Sequence, residues 1–168
     1  MERKMKRAAL VFVVFASGCA AGSQIRETVP PEGLGKYKVV FVDVSTDDPD
    51  NREAVAQLKT SIVGKLSALS CFENYETGSE PAKADLRLSA KVTGVRGVTG
   101  LGRFLFGAMA GKASVRADVQ LVELATGEKV GAFSIEGKSS GGTVFAGTTT
   151  QAIEKTGEGV AEYINAHK

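Results

Sequence analysis

Ala16-Ser17-Gly18-Cys19 sets a thiol directly behind three small residues. Small side chains let a processing peptidase approach the backbone, and a thiol there could carry acyl chains. Acyl chains contribute ~0.8 kcal/mol per buried methylene, so two or three of them make a stable anchor. Other candidate chemistries fall short. His167 is the only histidine and lies one residue from the C-terminus, so a Ser–His or Cys–His pair would have to use that end of the chain. Asp43, Asp47, Asp48 and Asp50 form a local acidic group. A helix start accounts for them, and no glycine stands where an EF-hand loop needs one. No His/Cys cluster has zinc spacing. Gly107 to Ser114, GAMAGKAS, mimics a phosphate loop, yet only three residues separate its glycines and Ala113 follows Lys112. The segment also leads into a strand, which lacks the oriented N–H groups of a helix start. The sequence therefore predicts no catalytic residue, no metal, no cofactor and no nucleotide.

The elements that present Cys19 read as a secretory leader. Arg3, Lys4, Lys6 and Arg7 make a basic start, and Ala8 to Ala16 is an apolar run of h-region length. It is shorter than the roughly 20 residues a bilayer span requires. Residues 16–19 resemble the bacterial lipoprotein box, in which the Cys becomes the lipidated first residue, with Ala16 where Leu is usual; the alternative is an ordinary signal peptide cleaved nearby. Ala20 rather than Asp follows the cysteine, and by resemblance to lipoprotein sorting rules that implies an outer-membrane lipoprotein facing the periplasm. Of 21 basic and 19 acidic residues, four and one lie in residues 1–18, leaving 17 and 18 and a net charge of −1 with His neutral. Charge thus makes no case for nucleic acid. Cys71, the second cysteine, reads as a buried small hydrophobe after a helix, or else as an intermolecular disulfide partner.

Residues 1–18 are read as leader, 19–35 as a lipid-anchored tether rich in Gly and Pro, and 36–168 as one domain. Lys36 to Val44 is the first strand, and its near-continuous apolar run suggests neighbours on both sides. Asp50 and Glu53 resemble a capping box for a helix to about Leu69, with Val55, Leu58, Ile62, Leu66 and Leu69 on one stripe. Cys71 to Thr77 is a short strand. Leu86, Leu88, Ala90 and Val92 alternate with Arg87, Ser89, Lys91 and Thr93, and Val115, Ala117, Val119 and Leu121 alternate with Arg116, Asp118 and Gln120. Both arms are half-buried strands. Lys129 to Glu136 is a fifth strand, Gly137 to Gly147 a second loop, and a helix starts near Thr148, with Gln151 placed to complete another capping box. Its glycines, Gly157 and Gly159, predict a kink or close packing. The order β-α-β-β-β-α predicts an α+β two-layer domain: a mixed sheet of about five strands, two helices on one face, and a long glycine-rich hairpin loop.

That loop, residues 94–111, carries Leu101, Phe104, Leu105, Phe106 and Met109 between six glycines. Fully burying one such side chain is worth roughly 1.5–3 kcal/mol, and soluble monomers seldom leave five in water. These five are the candidate interface, toward a membrane surface, a partner or a second copy. The alternative is that the segment folds back and completes the core.

From Asp85 onward the chain resembles the bacterial lipoproteins of DUF4410. The shared features are Gly100-Leu-Gly-Arg103, Gly111-Lys-Ala-Ser114 with the strand after it, and Ala125-Thr-Gly-Glu128. More distantly the layout is similar to the curli secretion channel subunit and to lipoprotein activators of cell-wall synthases. In that channel the hairpin resembles a membrane-crossing element, but a lipid-facing strand would not easily tolerate Arg87, Lys91, Arg116 and Asp118. The resemblance implies no enzyme activity. The sequence reads first as a non-enzymatic envelope lipoprotein that binds a protein partner or itself. The alternative is a subunit of an oligomeric outer-membrane secretion or export assembly.

Overall fold

The computed structural model describes residues 21–97, 112–140 and 148–168. Six strands and two α-helices follow in the order β1 Gly22–Val29, β2 Val39–Thr46, α1 Arg52–Ala68, β3 Asn74–Glu76, β4 Leu86–Arg96, β5 Ser114–Glu123, β6 Lys129–Lys138 and α2 Thr149–Ala166. They form one sheet in the order β1-β6-β5-β4-β2-β3. β1, β6, β5 and β4 are antiparallel in succession, and β2 lies parallel to both β4 and β3. The domain is therefore α+β with a mixed sheet, and both helices lie on one face of it and against each other.

The alternating arms explain the core. Leu86, Leu88, Ala90 and Val92 point to the helices, as do Val115, Ala117, Val119 and Leu121. They meet Leu58, Ile62 and Leu66 of α1 and Ile153, Val160 and Ile164 of α2. The other face of the sheet is polar and carries ion pairs, Lys91 with Asp47 at 2.7 Å and Arg116 with Glu136 at 3.3 Å. β2 has a neighbour on each side and buries Phe41 on that second face, beneath the Arg87 guanidinium 5.5 Å from its ring centre.

The sheet has six strands where the sequence predicts about five, and the extra one lies inside the expected tether. β1 hides from pattern reading because all eight of its residues are exposed. It is held by backbone pairing to β6, from Gly22 opposite Lys138 to Val29 opposite Ala132, so no apolar alternation is required. Residues 30–35 also belong to the domain. Leu34 is fully buried, and Glu32 N donates to Val130 O at 3.3 Å.

Helix ends differ from expectation in instructive ways. Asp48 rather than Asp50 caps the entry to α1. Its Oδ1 accepts from Asp50 N at 3.0 Å over a 3₁₀ turn, Pro49–Asn51. Leu69, assigned to the buried stripe, is 41 % exposed because the helix has already ended. There Cys71 N donates to Leu66 O and Ser70 N to Ser67 O, each at 3.0 Å, the two bonds of a Schellman motif. Ser70 takes the left-handed conformation, φ 52°, that this motif usually gives to glycine. At α2 the expected cap is present, with Thr148 Oγ1 accepting from Gln151 N at 3.1 Å. The α2 glycines serve close packing. A Cβ on Gly157 would fall 2.8 Å from Ser61 Cβ, and one on Gly159 would fall 2.7 Å from Ile135 Cδ1.

Candidate functional site

Cys19 and the five candidate interface residues, Leu101, Phe104, Leu105, Phe106 and Met109, lie outside the described residues. What the structure does place is the base from which their segments leave. Strand register sets Arg96 opposite Ser114, Ser114 opposite Lys138, and Lys138 opposite Gly22. One row across one end of the sheet therefore gathers the exit to residues 98–111, the return from them, the exit to residues 141–147 and the entry of the N-terminal segment. At 4.7–4.9 Å between strands, the four residues of that row span about 14 Å. A Cβ on Gly97 would lie 3.4 Å from Thr149 Oγ1, so the start of α2 stands at the same end.

This end is firmly built. Ser139 is fully buried, and its Oγ accepts from Ala113 N at 2.9 Å while Ser139 N donates to Ala113 O at 2.9 Å. That double link ties the return of the apolar segment to the exit of the second loop. Gln151 does not close its capping box. Its Oε1 instead accepts from Ser140 N at 3.0 Å and Ser140 Oγ at 3.1 Å, fastening the same loop to α2. Lys138 Nζ donates to Gln24 Oε1 at 3.0 Å and pairs with Glu136 at 3.1 Å. Burial opposes ionisation of Glu136, but Lys138 and Arg116 outweigh it and hold its pKa below the usual carboxylate range. Arg96 and Lys112 are exposed at the base of the apolar segment. Ser114 opens β5, so the Lys112-Ala113-Ser114 stretch leads into a strand.

The remaining chemistry-bearing residues are used structurally. Glu123, at the opposite end, accepts from Lys36 Nζ at 2.8 Å, Thr126 Oγ1 at 2.7 Å and Tyr37 O–H at 3.1 Å. Lys36 first, then Thr126 and Tyr37, pull its pKa down to about 2. Asp85 Oδ2 accepts from Lys38 N and Val39 N, both at 3.0 Å, and those amides lower its pKa. These donors hold both carboxylates in the ionised form, and the bonds brace the chain around them. Cys71 is fully buried, and burial pushes its thiol pKa up, as befits a core residue. That burial speaks against the intermolecular disulfide. His167 stacks on Tyr163 with ring centres 4.3 Å apart and has Nδ1 2.8 Å from Tyr163 O. Tyr163 in turn covers Phe133 and donates its hydroxyl to Glu27 of β1, and burial followed by that carboxylate raises its pKa. The acidic group is dispersed: Asp48 caps, Asp47 pairs with Lys91, and Asp43 is exposed on the polar face of the sheet. Sequence reading missed the convergence at the sheet end, because register and strand order are long-range properties.

Comparison with known proteins matches residues 28–143 to the family described as Domain of unknown function (DUF4410). No curated protein matches the chain. Among solved structures it is similar to a point-variant PelC dodecamer from Paraburkholderia phytofirmans, at 20% identity and TM-score 0.60, covering 87% of this chain and 99% of that one. A second PelC dodecamer crystal from the same organism gives 18% identity and TM-score 0.60, covering 85% and 97%. Protein XCC0632 from Xanthomonas campestris follows at 11% identity and TM-score 0.49, covering 83% and 91%. The PelC likeness extends over nearly the whole of that chain and shows a shared fold, and the match to residues 28–143 makes this chain a member of the DUF4410 family.

Proposed function

We propose that this chain is a lipid-anchored protein of the bacterial envelope that works without catalysis, as a binding module whose favoured partner is a further copy of itself. The observation that carries the reading is the row Gly22–Lys138–Ser114–Arg96. Cys19 precedes Gly22 by three residues, and an extended chain reaches at most ~3.6 Å per residue, so a lipid there holds this end of the sheet within about 11 Å of the bilayer surface. The described chain on both sides of the segment bearing Phe104 and Phe106 ends at that same row, and the reading gives that segment contact with lipid or a neighbour. Self-association is favoured because the PelC chains, similar in fold over most of both lengths, are described as dodecamers. Among the described residues no helix is long and apolar enough to cross a membrane, so attachment in this reading rests on the lipid.

The test is native mass measurement of the full chain extracted in mild detergent. A defined multimer supports the reading, and a monomer that co-purifies with a single envelope protein would move it to a hetero-partner. Ring-shaped particles in electron micrographs would favour the more specific reading, a subunit of a secretion or export assembly.

A further inference from the structure

The two edges of the sheet are unequal. β3 closes one edge with three residues, Asn74–Glu76, a length that offers little backbone for pairing. β1 closes the other with eight residues, no proline, and every residue exposed. Two of the three large hydrophobic residues exposed among the described ones, Ile25 and Val29, lie on it. Among the described residues, no backbone group outside β6 bonds to β1. A long, uncovered edge of this kind is a template for another strand.

We propose that β1 is an interface between two copies of this chain, each adding its β1 antiparallel to the other about a two-fold axis at Ile25. The proposal rests on the self-association reading above and names its surface. Symmetry restricts the options. A two-fold axis that joins two antiparallel edges runs normal to the sheet and keeps the helices of both copies on one side. Opposed residues must therefore belong to the same face, which limits the axis to passing through a single residue. An axis at Arg26 sets Arg26 against Arg26, and one at Glu27 sets Glu27 against Glu27; like charges directly opposite are destabilising. An axis at Gln24 sets Ile25 on Ser23 and Arg26 on Gly22, which gives neither the apolar nor the charged residue a matching partner. The axis at Ile25 sets Ile25 on Ile25, Gln24 on Arg26 twice and Ser23 on Glu27 twice. Gln24 Oε1 already accepts from Lys138 and retains a lone pair for the Arg26 guanidinium. Glu27 Oε2 takes the Tyr163 hydroxyl, and its Oε1 is left for the opposing Ser23. Pairing with β3 of another copy would involve three residues in place of the five, Ser23–Glu27, that precede the β1 bulge, so the isologous contact is preferred.

Directly opposite Cα atoms in an antiparallel pair lie about 4.5–5.5 Å apart, inside the roughly 4.4–6.8 Å that a disulfide spans. The full chain in detergent is compared as wild type, Ile25→Cys, Gln24→Cys and Arg26→Cys under mild oxidation. Ile25→Cys should give a dimer band well above the wild-type background. Gln24→Cys and Arg26→Cys should stay monomeric alone and crosslink when mixed. Equal crosslinking at all three positions, or none at Ile25, overturns the proposal. Native mass of the same samples separates the two levels. A multimer without the 25–25 link overturns this surface and leaves self-association standing, whereas a monomer overturns both.

Discussion

Gly137 is the point where α2 lies closest to the sheet, and replacing it with alanine should lift the helix. A Cβ there would fall 2.5 Å from Ala152 O and 2.5 Å from Thr156 N, where ordinary contact begins at 3.4 Å. Both atoms belong to the helix backbone, so no rotamer change relieves them. The helix must withdraw by about 1 Å, and a gap of 0.5–1 Å already forfeits a quarter to a half of each dispersion contact. Ile153, Val160 and Ile164 sit on that face. Overpacking costs typically 1–3 kcal/mol, and the backbone clash places Gly137→Ala toward the upper end, about 2–3 kcal/mol. At roughly 2–4 °C per kcal/mol for a chain of this size, Tm should fall by about 4–12 °C. The assay is thermal unfolding of the full chain in detergent followed by far-UV circular dichroism. Gly131→Ala is the matched control. Its Cβ would meet Leu121 Cδ1 and the Cβ and Cγ of the Pro31 ring, each at 3.1 Å, which asks for a shift of only a few tenths of an ångström, and the expected change is smaller, about 1 kcal/mol. An unchanged Tm for Gly137→Ala, or a larger drop for Gly131→Ala, would refute the account of how α2 seats on the sheet.

Ser70→Gly should stabilise by about 1 kcal/mol, read as a higher denaturation midpoint, because Ser70 holds φ 52° in a Schellman motif. Gly64→Ala should also stabilise by about 1 kcal/mol, since α1 gains propensity and nothing lies within 4 Å of the added carbon. Glu123 has a folded-state pKa of about 2, below its ordinary 4.5, so its contribution is fully present above pH ~4.5 and is lost as the pH falls toward 2. The stability gap between wild type and Glu123→Gln should therefore shrink across that window in urea titrations at stepped pH, and a constant gap would count against the Lys36–Glu123 network. Cys19→Ser should yield an uncleaved precursor that takes up no labelled palmitate, and equal labelling of both chains would refute the anchor.

The parts of the fold that were legible in sequence are those recorded by side-chain burial. Leu86 to Val92 and Val115 to Leu121 alternate because one face meets helices and the other meets water, and both arms are strands with the expected side buried. Leu58, Ile62 and Leu66 mark the buried side of α1 for the same reason. β1 left no such record, since its eight residues are exposed and its bonds are made by the backbone. Leu69 misled because apolar type alone cannot tell the last helical turn from the cap beyond it. Asp48 and Asp50 are equally good capping residues by type, and only the Pro49–Asn51 turn decides between them. The candidate residues were legible as composition, a greasy glycine-rich stretch and a small-residue cysteine box. The row Gly22–Lys138–Ser114–Arg96 that the described chain forms beside those segments was not, because it follows from pairing between strands far apart in the chain.

The pairing of β1 with β6 also sets an order on folding. Gln24 and Lys138, which are hydrogen-bonded, lie 114 positions apart. In the envelope reading the chain folds after export, so the order is set by loop closure, which costs more as the loop lengthens. The first strand of the chain is thus expected to be the last to pair. The segments from β2 to β6 have only short distances to bridge and can form their sheet first, leaving β6 as an open edge until the N-terminal segment returns. For that interval two complementary edges coexist on one chain. Pro substitutions in residues 23–27, which remove ladder donors from β1, should leave β6 an open edge and raise aggregation on refolding, read by light scattering, while leaving the core built by α1, α2 and β4–β6 intact.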